Sequence, residues 1–238
     1  MVVLESWQVR MDVLQQKLAF TFTRPALLLQ ALTHPSYINE SPSNQEDDNQ
    51  RLEFLGDALI GFLVGEWLYS RYPEAREGEL TSLRAHLVRT ESLAGFAREF
   101  DAGAYLRFGR GEGASGGSLR DANLCDAFEA IIGAMYLDAG LERTHTWLDG
   151  LLQARAGDID AHRRARDSKS QLQEYVQGRL KVTPVYHIIH SEGPDHAKQF
   201  TAEVRVNEIV WGQGSGLSKQ AAEQAAAAAA LCRANGEG

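Results

Sequence analysis

Asn49-Gln50-Arg51-Leu52-Glu53-Phe54-Leu55-Gly56-Asp57-Ala58-Leu59-Ile60 carries apolar residues at helical spacing with two acids set among them. Leu52, Leu55, Leu59 and Ile60 predict a helix held in a core. Glu53 and Asp57 stand four residues apart, so their side chains lie about 40° apart on the helical wheel and share one face. Like charges at that spacing repel, and something must offset the repulsion. Either an arginine does so, with Arg51, Arg84 and Arg89 available, or a divalent cation does. A second stretch repeats the pattern: Leu124-Cys125-Asp126-Ala127-Phe128-Glu129-Ala130-Ile131-Ile132-Gly133-Ala134 places Asp126 and Glu129 on one face of another apolar helix. Carboxylates are seldom buried unless paired or bound to metal. Two such helices packed face to face bring four carboxylates together, a set of hard oxygen donors suited to Mg²⁺ or Mn²⁺.

Outward from these two stretches, residues 1–155 read as an all-α domain. Apolar residues recur at helical spacing in Leu14-Leu18, Leu27-Ala31, Leu80-Leu83-Leu87 and Ala127-Ala130-Ile131-Ala134, with no alternating strand pattern. Breaks fall at the polar run 40–50, at Arg71-Tyr72-Pro73 and at the glycine-rich 109–117, which reads as a loop. It lacks the Gly-Lys-Ser/Thr pattern of a phosphate cradle. Residues 156–168, with the basic Arg163-Arg164-Ala165-Arg166, show no periodicity and read as a linker. Residues 169–236 follow a different grammar. A helix over Ser170 to Arg179 precedes strands at Val185–Ile189, Phe200–Val206 and Ile209–Gly212, and a second helix spans Ser218 to Arg233. The order α-β-β-β-α predicts a small α+β domain with both helices on one face of a sheet.

Charge divides along the same line. Residues 1–160 hold 14 Lys and Arg against 24 Asp and Glu, net −10, and residues 161–238 hold 10 against 8, net +2. An acidic body that can hold cations is joined to a mildly basic tail that can grip a polyanion. No stretch approaches the roughly 20 uncharged apolar residues of a membrane span. Residues 1–10 contain Glu5 and Arg10 and no apolar core of a signal peptide. Cys125 and Cys232 are too few for a disulfide framework, and Cys125 reads as a small core residue. The expectation is a soluble, reduced, cytoplasmic protein without a membrane partner.

The motifs resemble those of the ribonuclease III family, endonucleases of double-stranded RNA. The acidic stretch Asn49–Ile60 is similar to the family's signature helix. Around it, in family order, stand Ala31-Leu32-Thr33-His34-Pro35-Ser36-Tyr37, Glu77-Gly78-Glu79-Leu80, Gly109-Arg110-Gly111-Glu112 and Asp126-Ala127-Phe128-Glu129-Ala130 leading to Tyr136-Leu137-Asp138. His34, before Pro35, reads as structural. The tail resembles a double-stranded-RNA-binding domain, with Lys169-Ser170-Gln171-Leu172-Gln173-Glu174 in its first helix, Gly193-Pro194-Asp195-His196 and Lys198 after the first strand, and a glycine-rich run before Lys219-Gln220-Ala221-Ala222.

The resemblance implies Glu53, Asp126 and Glu129 as metal ligands, Asp57 and Glu129 as catalytic residues, and Mg²⁺ as cofactor with Mn²⁺ as substitute. It implies a homodimer with one site per subunit, and cleavage to 5′-phosphate ends with short 3′ overhangs during processing of ribosomal, messenger and transfer RNA precursors. Ser170, Gln173, Glu174, His196, Lys198 and Lys219 are the implied RNA contacts, and Gln50 and Glu77 are accessory positions. Two departures stand out: Gln50 occupies a position where the family has Glu, and Gln220 follows Lys219 where the family has a second lysine. The alternative reading, a catalytically impaired RNA-binding scaffold, rests on Gln50 alone, since all four central carboxylates are present.

Overall fold

The apolar run from Leu52 to Leu68 forms one long helix with Leu52, Gly56, Ile60, Leu63, Val64, Trp67 and Leu68 buried along it. The structure is a computed structural model and describes residues 2–40, 46–193, 198–234 and 236. The described elements are α1 (Val2–Leu18), α2 (Pro25–Ala31), α3 (Pro35–Glu40), α4 (Gln50–Arg71), α5 (Glu77–Leu87), α6 (Thr90–Glu99), α7 (Arg110–Ala114), α8 (Asp121–Ala154), α9 (Ala156–Leu180), β1 (Val185–Glu192), β2 (Gln199–Val206), β3 (Ile209–Gly216) and α10 (Lys219–Ala234). They form two compact units, residues 1–154 and 155–238.

In the first unit α8 is the central element. From Leu124 to Met135 nearly every side chain is buried, the mark of a helix surrounded on all sides. Gly140, at φ +80°, interrupts it and redirects the chain. Phe96 of α6 stacks on Phe128 of α8 with ring centroids 5.5 Å apart, and α2 contributes Leu28 and Ala31 to the same core. Asp138, quoted above among the family-like residues, is structural: its carboxylate accepts the backbone N–H groups of Thr23 and Arg24 at 2.8 Å and fixes the entry to α2.

The tightest packing lies where α4 crosses α8. A methyl added at Gly56 would stand 1.8 Å from the carbonyl oxygen of Glu129, and one added at Gly133 would stand 2.3 Å from that of Leu52. The two backbones therefore touch through two glycines, one from each helix.

In the second unit β1, β2 and β3 form an antiparallel sheet in that order, with His187 opposite Glu203 and Glu203 opposite Gln213. Helices α9 and α10 cover one face around Leu172, Val176, Ala202, Val204, Val206, Ala222, Ala226, Ala227 and Ala230.

Two local readings of the sequence change, and the linker segment takes a defined form. Residues 156–168 are helical and run into the first helix of the α+β domain as α9, with Ala156 and Ile159 buried. The glycine-rich 109–117 contains a helical turn, α7, whose first N–H groups, those of Arg110 and Gly111, donate to the distant carboxylate of Glu40. The glycines from Gly212 to Gly216 continue β3 and do not open the helix. A Cβ at Gly214 would lie 2.4 Å from Ala225 of α10, and one at Gly212 would lie 2.5 Å from the carbonyl oxygen of Ala226, so the alanine face of that helix rests directly on the strand.

Candidate active site

The α4–α8 crossing brings the four carboxylates to one place. Glu53 and Asp57 project from α4, and Asp126 and Glu129 from α8, on either side of the glycine contact. Their electrostatics record the proximity. Burial raises the Glu53 carboxyl above its ordinary range, and the charges of Asp126, Asp48 and Asp57 raise it further. Burial also raises Asp126, against an opposing pull from His34. Glu129 is only 9% exposed. Its carboxyl is pushed up to about 7, first by burial and then by the charges of Asp57, Glu53 and Asp126, while a hydrogen bond from the Cys125 thiol partly opposes the rise.

Among the described residues no arginine pairs with these acids to resolve the repulsion. The described ion pairs of this unit lie elsewhere, at Lys17–Asp101, Arg24–Asp138, Arg98–Asp121, Arg107–Glu46 and Arg120–Glu112. Of the arginines that were available, Arg89 pairs with Glu91 and Arg84 lines a groove with Phe62, Tyr69 and Glu77, and Arg51 is exposed. What remains is a group of mutually repelling carboxylates, one of them, Glu129, nine-tenths buried and with no cationic side chain paired to it among the described residues. This donor set fits a hard divalent ion. Asp126 and Glu129 fall with the Cys125 sulfur in one group whose donor atoms lie within 4.8 Å of one another, and Glu53 lies outside this tightest group.

The accessory positions are not part of the cluster. Gln50 is the exposed first residue of α4, its N–H donating to the Asp48 carboxylate at 3.1 Å. Glu77 opens α5, bonded to the Thr81 hydroxyl at 3.0 Å. Among the proposed RNA contacts, Ser170, Gln173 and Glu174 lie exposed on α9, on the side away from buried Leu172 and Val176. Lys219 is exposed at the start of α10, where the Ser218 hydroxyl caps the N–H of Ala221 at 3.1 Å. Lys198 just precedes β2. His196 lies outside the described residues.

Sequence reasoning missed four participants. Asp48, read only as part of a polar break, adds to the field on Glu53. His34, read as structural and bonded through Nδ1 to the Ser36 N–H at 3.1 Å, also bears on the site by opposing the rise of the Asp126 carboxyl. Gly56 and Gly133 set the helix separation; a glycine inside an apolar helix costs stability, and that cost is the signal that could have found them.

Comparison with known proteins agrees with this arrangement. Residues 24–154 match the family profile described as Ribonuclease-III-like, and residues 168–233 match the Double-stranded RNA binding motif. The chain is 49% identical over 222 residues to a protein named Ribonuclease 3 from Roseiflexus sp. strain RS-1, covering 92% of this chain and 94% of that one. It is 45% identical over 219 residues to Ribonuclease 3 of Bacillus cereus strain G9842, covering 92% and 89%. Among solved structures, the nuclease domain of ribonuclease III from Campylobacter jejuni superposes with a TM-score of 0.56 at 38% identity, covering 60% of this chain and 96% of that domain. That structure is described by its flexibility in a region involved in dimer formation.

Proposed function

The chain belongs to the ribonuclease III family, and we propose that it is an Mg²⁺-dependent endonuclease that hydrolyses both strands of an RNA duplex to 5′-phosphate ends with short 3′ overhangs. The observation that carries this reading is the group of four carboxylates at the α4–α8 crossing with no arginine or lysine paired to them among the described residues. In this proposal Glu53, Asp126 and Glu129 hold the ion, and Asp57 and Glu129 act on the reaction itself. A bound divalent ion would supply Lewis acidity toward the scissile phosphate and lower the pKa of bound water. Burial and the neighbouring acids push the Glu129 carboxyl up to about 7, and a divalent cation bound beside it would favour the carboxylate. Asp57, exposed beside half-buried Glu53 and Asp126 and buried Glu129, is in this proposal the group that orients a water against the phosphate.

The second domain supplies duplex affinity. An A-form helix presents 2′-hydroxyls and phosphates across a shallow minor groove and is recognised by shape. Ser170, Gln173 and Glu174 are suited to 2′-hydroxyl contacts. Lys219, at a helix N-terminus that also attracts anions, is suited to phosphate, and Lys198, just before β2, and His196 are the remaining proposed contacts.

Cutting two strands requires two sites, and the proposal includes a homodimer. Phe54 is 80% exposed on α4, with Phe62 and Tyr69 also exposed further along the same helix and Leu55 half-buried. Such an apolar stripe on a soluble surface marks an interaction face. Among the described residues no helix is long and apolar enough to cross a membrane. The proposed setting is cytoplasmic processing of ribosomal RNA precursors and of some messenger and transfer RNA precursors.

The test is cleavage of a long RNA duplex, a DNA duplex and a single-stranded RNA, each with Mg²⁺ and with EDTA. The proposal expects cutting of the RNA duplex alone and only with the metal. Cutting of DNA, or cutting in EDTA, overturns it; binding without cutting favours the scaffold reading.

A further inference from the structure

Cys125 is a buried cysteine whose sulfur lies among the acids of the site. Its thiol donates to Oε1 of Glu129 at 3.6 Å, and Sγ, a carboxylate oxygen of Asp126 and one of Glu129 lie within 4.8 Å of one another. A thiol has no part in holding Mg²⁺, which takes oxygen ligands. A tetrahedral zinc ion, with Zn–S near 2.3 Å and Zn–O near 2.0 Å, sets its sulfur and oxygen donors about 3.5 Å apart. The Cys125–Glu129 separation already has that value, and Glu129 is a carboxylate nine-tenths buried that no described cationic side chain pairs. We propose that Cys125, Asp126 and Glu129 form a second mode of metal binding at this site, selective for thiophilic divalent cations such as Zn²⁺ and Cd²⁺.

The inference rests on the reading of these carboxylates as an ion site and adds a choice between ions. A hard ion takes Glu53, Asp126 and Glu129 and leaves the thiol as a bystander. A thiophilic ion takes the sulfur and two of the same carboxylates, the thiol proton passing to solvent as the metal–sulfur bond forms. Because Asp126 and Glu129 serve both modes, the two ions exclude each other, and Zn²⁺ acts as an inhibitor. Affinity order favours the intruder, since zinc outranks manganese at most mixed-donor sites.

The test uses the full chain with Cys232→Ser, which removes the exposed thiol. Titration with Cd²⁺ is expected to raise a sulfur-to-cadmium charge-transfer band in the ultraviolet that saturates at one ion per chain. Adding Cys125→Ala abolishes the band and lowers the ratio of Zn²⁺ to Mn²⁺ affinity by about ten- to hundredfold. Cys125→Ser, which keeps a side chain of similar size, loses the band in the same way and guards against a folding defect in the alanine variant. If the Cys232→Ser protein takes up Mn²⁺ yet shows no band with Cd²⁺, or if Cys125→Ala keeps its zinc preference, the thiol's role is overturned and the hard-ion site stands. A protein that takes up neither ion overturns both.

Discussion

Replacing Gly56 by alanine puts a methyl where the two acid-bearing helices have no room for one. The added carbon would stand 1.8 Å from the Glu129 carbonyl oxygen and 2.5 Å from its carbon, whereas ordinary contact begins at 3.4 Å. The helices must therefore part by about 1.6 Å at the crossing, and the obstacle is backbone, so no rotamer change relieves it. Overpacking of this kind costs about 1–3 kcal/mol, and the neighbouring contacts of Leu52, Ile60 and Ile132 lose part of their dispersion energy as the gap opens. Alanine's better helix propensity returns about 1 kcal/mol. The expected net loss is about 1–2 kcal/mol, read as a shift in the urea midpoint at unchanged slope. Gly150→Ala, on α8 with nothing within 4 Å of its added carbon, is the control and is expected to gain about 0.5–1 kcal/mol. Displacing one carboxylate pair from the other by about 1 Å is also expected to lower the cleavage rate about a hundredfold in whatever Gly56→Ala protein remains folded. A Gly56→Ala protein as stable as Gly150→Ala, cutting at the wild-type rate, would refute the argument that two glycines set the site's geometry.

Glu129→Gln should abolish cleavage while leaving duplex binding in Ca²⁺ intact, measured by gel shift. The same variant tests the buried charge without metal. A carboxyl raised from its ordinary 4.5 to about 7 favours the folded state while protonated, and that support is lost as pH rises from 4.5 through 7. In EDTA the wild type should therefore lose up to about 3 kcal/mol between pH 5 and pH 8 through this group, and Glu129→Gln should flatten that part of the urea-unfolding profile. Lys219→Ala is expected to weaken duplex binding and reduce the slope of log K against log salt by about one, checked by titration at several salt concentrations. Phe54→Asp should convert a dimer to a monomer in sedimentation velocity; an unchanged sedimentation coefficient removes Phe54 from the interface.

Much of this was legible in the sequence because the signals were periodic. Leu52 to Ile60 and Leu124 to Ala134 announce helices by spacing, and acids inside apolar runs announce a site because burying them is costly. What escaped had no local signal. Residues 156–168 carry Ala156 and Ile159 as their buried apolar residues, too few to show a helical stripe in the sequence. The turn of α7 depends on Glu40, about 70 residues earlier in the chain, a capping partner that local pattern cannot reveal. Gly212, Gly214 and Gly216 lower strand propensity, yet they are in β3 because α10 lies too close for side chains. Cys125 was correctly legible as buried; its approach to Glu129 follows from the i,i+4 spacing and went unremarked because thiols rarely accompany hard-ion sites.

The most direct measurement is anomalous diffraction from crystals of the full chain soaked in Mn²⁺. The account predicts a peak at the α4–α8 crossing within bonding distance of Glu53, Asp126 and Glu129. Density that places the ion elsewhere, or these carboxylates fully ordered in saturating Mn²⁺ with no peak between them, would contradict it.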